Sequence, residues 1–334
     1  MSEPSLLITA SPHLSARDST PKIMWHVVLS LVPVLGAGAY FFGVSALLVT
    51  AGATLGAVVT ETVFGKRGTL WDGSAAITGM LLALTLPPGL PMWMAFIGGA
   101  FAIGFGKLIF GGLGENIFNP ALLGRAFLQA AFPVALTTWP VPRGSFWQLR
   151  GDNLALPFVS PHPLDVVTGA TPLGLMKFDH VGTEPWKLIL GVTGGSLGET
   201  SGLVILLCGG YLAGRNYLNW RTPISIFLTV ALFAQLLHAL RPAVYPEGLF
   251  MLFSGGLMLG AVFMATDLVT SPVTNLGCWL FGLGVGVLVV VIRIWGGLAE
   301  GVMYAILLMN AFVPFINRAT QPRVFGQVPA QKMP

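Results

Sequence analysis

Of 334 residues, 54% are hydrophobic and 9% charged, and the mean hydropathy is +0.79, whereas soluble domains carry about 25% charged residues. No soluble core hides that much apolar surface, so lipid is the expected solvent for most of the chain. The net charge of +4 does not point to nucleic acid, because the seventeen basic residues are scattered and form no phosphate-binding stripe.

Residues 1–22 hold Arg17, Asp18 and several Ser and Thr ahead of the first apolar run. With no apolar h-region, a cleavable signal peptide is not expected, and the first helix should act as its own insertion signal. Apolar runs follow at 23–43, 44–64, 73–86, 92–110 and 117–136, and a second set at 203–212, 224–240, 249–269, 277–295 and 302–316. The sixth is short unless part of the Gly-rich stretch 188–200, interrupted by Glu199, is counted with it. The backbone must satisfy itself in hydrocarbon, so these runs predict an all-α integral membrane fold of about ten transmembrane helices.

Arg17 and Lys22 precede the first span, Lys66 and Arg67 follow the second, Arg215 and Arg221 the sixth, and Arg318, Arg323 and Lys332 the tenth. With ten spans all four groups fall on one side, which the positive-inside rule makes cytoplasmic. The predicted organisation is a cytoplasmic segment 1–22, a first membrane repeat 23–136, an external loop 137–186, a second repeat 187–316 and a cytoplasmic tail 317–334. The loop carries charges of both signs and the aromatics Trp139, Phe146, Trp147, Phe158, Phe178 and Trp186. It reads as a folded platform rather than a disordered connection.

A displacement of 185 residues aligns 85–127 with 270–312 without a gap, with thirteen identities in forty-three positions. They include Thr85/Thr270, Gly111-Gly112-Leu113/Gly296-Gly297-Leu298 and Glu115/Glu300. Five spans per half would put the second copy into the membrane upside down, giving two inverted five-helix repeats whose Gly/Pro-interrupted helices frame a site at mid-depth. "TLPPGLP", "NIFNPALLGRAF", "GGSLGETSG" and "TDLVTSPVT" are the expected interruptions.

Charges within or beside the apolar runs are costly unless they pair or line a pathway. Glu115 and Glu300 follow Gly-Gly turns near the expected interfaces, and Lys107, Arg125 and Arg293 are long enough to snorkel. Asp267, Glu61 and Glu199 are left as candidates for an ion route. Cys208 and Cys278 lie in apolar runs as small hydrophobes, with no metal or cluster spacing, and the five histidines show none either. No metal site is expected.

In the polar loop stands "DVVTGATPLG", residues 165–174. No His, Lys or carboxylate accompanies Thr171 in a nucleophile motif. Pro172 biases Thr171 to extended backbone, and Gly169 and Ala170 leave its hydroxyl approachable. That suits a hydroxyl offered to another enzyme. "DVVTGAT" resembles the Asp-x-x-(Ser/Thr)-Gly-Ala-Thr flavinylation motif, with Thr168 at the Ser/Thr position. Together with "SPHLSARDSTPKIMWHVVLSLVPVLGAGAYFFG", "GGLGENIFNPALLGRAF", "GSLGETSGLVIL", "NWRTPISI" and "FMATDLVTSP", the chain resembles, over about 10–317, the family of D subunits of the Rnf complex, the ion-translocating ferredoxin:NAD+ oxidoreductase. The B subunit of the Na+-translocating NADH:quinone reductase is its nearest relative; the short segment ahead of the first span favours the Rnf subunit.

The resemblance implies an enzyme subunit in a bacterial cytoplasmic (inner) membrane, with FMN esterified through its phosphate to Thr171. Asp165, Thr168, Gly169 and Ala170 would form the recognition sequence of a flavin transferase acting outside that membrane. Non-covalent riboflavin is also associated with the family. The implied partners are the other Rnf subunits: iron–sulfur, NADH-binding, second flavin-bearing and membrane subunits. The chain itself has no dinucleotide fingerprint and no cluster framework. A secondary transporter or channel without a redox cofactor is the rival from another class, since inverted repeats and broken helices suit it equally.

Overall fold

The computed structural model describes residues 18–65, 69–142, 144–157, 169–191, 193–199, 201–242 and 244–322. Among them the chain is helical, with no β-strand. Helix α1 (Thr20–Phe42) begins with Pro21 in its first turn, where the missing N–H would have had no partner anyway. It ends at Gly43, and α2 (Val44–Phe64) starts at once. Gly43 has φ +65° and ψ −148°, and a Cβ built there would stand 2.2 Å from the carbonyl oxygen of Phe146. Val44 N–H donates to that same oxygen at 2.9 Å, so the bend also pins the polar loop to the bundle. We expect Gly43→Ala to cost about 1–3 kcal/mol from backbone strain alone. Limited proteolysis should then cut the loop at a lower protease concentration than in wild type.

The short helices come next. α3 (Ser74–Leu84) ends before Pro87 and Pro88, and α4 (Met92–Ile103) continues into a π turn, Gly104–Leu108. α5 (Pro120–Ala131) is capped by Asn119, whose Oδ1 accepts from the N–H of Ala121 at 3.0 Å and of Leu122 at 3.3 Å. The predicted run 117–136 is not one helix. Phe132 leaves helical geometry at φ −133° and ψ 59°, and Pro133, with no N–H to give, starts α6 (Pro133–Thr137). Beyond the loop come α7 (Pro172–Gly174), which runs into a π turn at Leu175–Asp179, then α8 (Pro185–Leu190) and a 3₁₀ turn at Leu197–Glu199.

α9 (Gly202–Gly214) and α10 (Arg221–Leu240) lead to a second broken element. The predicted run 249–269 divides into α11 (Gly248–Phe253) and α12 (Leu257–Leu259), which continues as a π turn over Gly260–Met264. Gly255, at φ +66°, makes the break. α13 (Asn275–Trp295) and α14 (Val302–Thr320) close the bundle.

Among the described residues five helices, α1, α2, α10, α13 and α14, are long and apolar enough to cross a membrane. Shorter apolar helices span Ser74–Leu84, Met92–Leu108 and Gly202–Gly214. α10 shows what surrounds them. Leu228, Leu232, Leu236 and Leu240 form an i, i+4 stripe that is 50–69% exposed. A polar solvent would punish such a stripe, whereas hydrocarbon accepts it. Helix-to-helix contact is left to small residues, as expected where lipid removes any hydrophobic drive between helices. On α2, Gly52 faces Met92 and Ala95 and Gly56 faces Phe96; on α13, Gly282 faces Ser225 and Gly286 faces Thr229.

Those contacts also give directions. Residue numbers rise together along α2 and α4, and likewise along α10 and α13, so each pair is parallel. His26 of α1 meets Tyr211 of α9 at 2.8 Å, Asn219 Nδ2 donates to Cys278 Sγ at 3.1 Å, and Thr274 bonds Thr320. The start of α1, the ends of α9 and α14 and the starts of α10 and α13 therefore share one end of the bundle. At the other end, Gly43 holds Phe146, and Lys177 Nζ donates to the carbonyls of Gly296 at 2.5 Å and Leu298 at 2.8 Å. α2 and α4 run from this loop end toward the termini, and α10 and α13 run the opposite way.

One bond recurs at repeat-equivalent positions. Arg125 of α5 donates through Nη1 to the carbonyl of Thr85. Asn310 stands 185 residues later on α14. With its amide oriented to satisfy both neighbours, it donates to the carbonyl of Thr270 at 3.2 Å and accepts from Asn119 N–H at 3.1 Å. Thr85 and Thr270 are themselves a repeat pair; Thr85 is the residue just past α3, and Thr270 lies in the turn region between Met264 and α13.

Candidate functional site

Thr171 is the N-cap of the segment 172–179. Its φ of −67° and ψ of 156° are the extended backbone expected before a proline, and its Oγ1 accepts from Gly174 N–H at 3.1 Å. Gly169 N–H donates to Trp139 O at 3.0 Å, tying Gly169 to the segment that follows α6. Gly169 is half-buried, Ala170 exposed and Thr171 half-buried. Asp165 and Thr168 lie outside the described residues.

Beneath Thr171 lies a cavity of about 100 Å³. Trp139 and Leu173 line it from the loop side, Arg125 and Gln129 come from α5, Glu199 from the 3₁₀ turn, Glu300 from the connection ahead of α14, and Met303 and Tyr304 from the first turn of α14. Arg125, 8% exposed, and Arg293, 3% exposed, are held inside rather than reaching for the interface, which corrects the snorkelling expected from sequence. Arg293 Nη1 donates to Met251 O at 2.6 Å, and Nη2 to Ser254 O at 2.9 Å and to Glu300 Oε1 at 3.2 Å. The carbonyls exposed by the break at Gly255 thus recruit a guanidinium, which in turn fixes a carboxylate. Glu300, at the loop end of the bundle, is paired rather than free. Its repeat partner Glu115 is exposed.

The three ion-route candidates are divided. Glu199 joins Thr171 in this cavity. Asp267 lines a second cavity, of about 90 Å³, together with Lys107, Asn116, Asn119 and Thr266. Its Oδ2 accepts from Thr270 Oγ1 at 3.1 Å. Glu61 is buried against Lys107, with Nζ to Oε1 at 2.6 Å, and Lys107 also donates to the Ser74 hydroxyl, which donates to Asp72. Lys107, 2% exposed, does not snorkel either. Asn119 ties the second cavity to the far half, donating to Met264 O at 3.2 Å. Cys208 and Cys278 are buried free thiols.

A flavin phosphoester would find suitable chemistry at the first cavity: an attachable hydroxyl, a guanidinium for negative charge, and aromatic and apolar walls. Arg125 and Glu300 were legible only as isolated charges.

Apolar helices with lipid-type surfaces, enclosing polar cavities lined by charged side chains, fit an integral membrane protein. The chain belongs to the NQR2, RnfD, RnfE family, whose model matches residues 7–326. It is 43% identical over 332 residues to the D subunit of the ion-translocating oxidoreductase complex of Stutzerimonas stutzeri, covering 93% of each chain. It is 41% identical to the D subunit of the proton-translocating ferredoxin:NAD(+) oxidoreductase complex of Clostridium ljungdahlii, covering 96% of each. It is 40% identical to the D subunit of the Na(+)-translocating ferredoxin:NAD(+) oxidoreductase complex of Acetobacterium woodii, covering 99% of each.

Proposed function

We propose that this chain is the membrane subunit of a redox-driven Na+ or H+ pump, and that electrons moving between ferredoxin and NAD+ pass through FMN esterified to Thr171. The observation that carries the attachment is the position of the Thr171 hydroxyl, on extended backbone at the mouth of a cavity holding Arg125. FMN supplies the redox chemistry, and the chain supplies position and electrostatics. Arg125 offers the phosphodiester or the reduced ring a counter-charge. Trp139, Met303 and Tyr304 limit water. A flavin transferase reads Asp165, Thr168, Gly169 and Ala170, and non-covalent riboflavin is a second cofactor of the reading.

The architecture of the proposal is ten crossings in two inverted halves, with both termini cytoplasmic and the flavin loop outside an inner membrane. The opposed directions of α2/α4 and α10/α13, and the matching Arg125–Thr85 and Asn310–Thr270 bonds, support the inversion. The partners are the remaining Rnf subunits. Asp267, Glu61 and Glu199 stay candidates for the ion path. Relatives of nearly equal identity carry names with different ions, so local ligands rather than overall similarity choose between Na+ and H+.

Mass spectrometry of the peptide containing Thr171, from native membranes with the transferase present, is the test. An adduct of FMN mass on Thr171 is expected. An unmodified peptide sinks the attachment of FMN to Thr171.

A further inference from the structure

The segment that begins at Thr171 is closed at both ends and pinned between them by one side chain. Thr171 Oγ1 caps its start. At its end His180 takes φ 54°, and Val181 N–H reaches back to Leu175 O at 3.2 Å. In between, Lys177 Nζ lies 2.5 Å from the carbonyl oxygen of Gly296, 2.8 Å from that of Leu298 and 3.4 Å from that of Ile292. An ammonium has three donors and no acceptor, and these three oxygens take them all. α13 ends at Trp295. A helix leaves its last carbonyls without helical donors, and the negative end of its dipole favours a cation. Among the described residues no carboxylate pairs with Lys177. Its charge is committed to the end of α13.

The repeat supplies a comparison. Gly296-Gly297-Leu298 corresponds to Gly111-Gly112-Leu113 in the first half. There Gly111 and Gly112 take φ +118° and +117°, and Glu115 N–H donates back to Gly112 O at 3.3 Å, so the turn closes on itself. In the second half Gly296 is extended, at φ −72° and ψ 169°, and the carbonyls of Gly296 and Leu298 turn to Lys177. The same three residues fold differently where the loop lysine meets them.

We propose that Lys177 is the positioning residue of the flavin-bearing segment, fixing it to the end of α13 so that a flavin on Thr171 lies against the cavity wall rather than in water. Two other ties exist. Gly169 is bonded to Trp139, and buried Leu173 packs against the break at Gly255, where an added Cβ would stand 2.5 Å from Leu173 Cδ1. Both hold the segment close to Thr171 and leave its far side free to swing. Lys177 is the tie on that far side, and it stops the swing that would carry Thr171 away from the cavity mouth.

This inference rests on the flavin reading, and the experiment separates the two. The full chain, co-expressed with a flavin transferase, is purified in detergent, and the denatured band is checked for flavin fluorescence. A wild-type band without flavin ends the flavin reading itself. For flavin-bearing protein the readout is the flavin fluorescence of the folded chain divided by that of the same sample denatured. Trp139 and Tyr304 line the cavity, and electron-rich rings quench an excited flavin that they touch, so wild type should give a low ratio. Lys177→Met keeps the stem and removes the ammonium. Its ratio should rise severalfold, and Lys177→Arg should return it to the wild-type value. The proposal is overturned by a low ratio in flavin-loaded Lys177→Met, by Lys177→Arg as bright as Lys177→Met, or by wild type as bright folded as denatured. If Lys177→Met yields no flavin-bearing chain, amine labelling of wild type decides. Lys187, whose side chain is 45% exposed, is the internal control. An acylating ester should modify Lys177 severalfold more slowly than Lys187; equal rates overturn the assignment.

Discussion

On the proposed function, Thr171→Val will leave this chain without covalent flavin, and electron transfer from ferredoxin to NAD+ in the assembled complex will fall to background. Valine keeps the shape of threonine but has no oxygen to take the phosphoester. The same oxygen accepts from Gly174 N–H, so the change also costs a helix cap, about 1 kcal/mol. That loss is too small to unfold a bundle stabilised by all its helices. A normal yield of assembled complex therefore separates lost chemistry from lost structure. Flavin fluorescence of the denatured band reports attachment, and NAD+ reduction by reduced ferredoxin reports transfer. A variant that assembles and transfers electrons at the wild-type rate places the electron path elsewhere.

Lys107→Met will be strongly destabilising at the opposite end of the bundle, by about 3–5 kcal/mol, because it removes the partner of the buried Glu61 carboxyl group. Glu61 is 1% exposed, its Oε1 depends on Lys107, and its Oε2 has no partner among the described residues. Ser74 loses its donor too, and its hydroxyl is left to Asp72 alone. The double variant Glu61→Gln/Lys107→Met should regain most of the loss, since it buries no net charge. Thermal unfolding of the full chain in detergent measures both. Additive losses, with the double variant as damaged as the sum of the singles, would mean the pair is not coupled. If the pair also serves ion movement, the double variant will fold normally yet leave electron transfer uncoupled from transport.

Much of the architecture was legible because lipid imposes a coarse rule. Twenty apolar residues with few charges must be a helix, and α1, α2, α10, α13 and α14 follow the runs read from the sequence. The runs 117–136 and 249–269 misled for a local reason. Hydropathy is blind to Phe132 turning away ahead of Pro133, and to Gly255 at φ +66°. The same breaks expose carbonyls, and those carbonyls are what Arg293 binds.

Alone, the sequence determined the apolar composition that suits lipid, the self-similarity at a displacement of 185 residues, the extended backbone at Thr171 and, through "DVVTGAT" together with the five other matching segments, the family. Each depends on composition, spacing or a neighbour one residue away. Only the tertiary structure decided which charges are partners. Lys107 and Glu61 are 46 residues apart in sequence, and Arg125, Glu199 and Glu300 come from three separate elements. The cost of burying a charge depends on what stands within a few ångströms of it. A linear chain does not contain that distance; the folded bundle does.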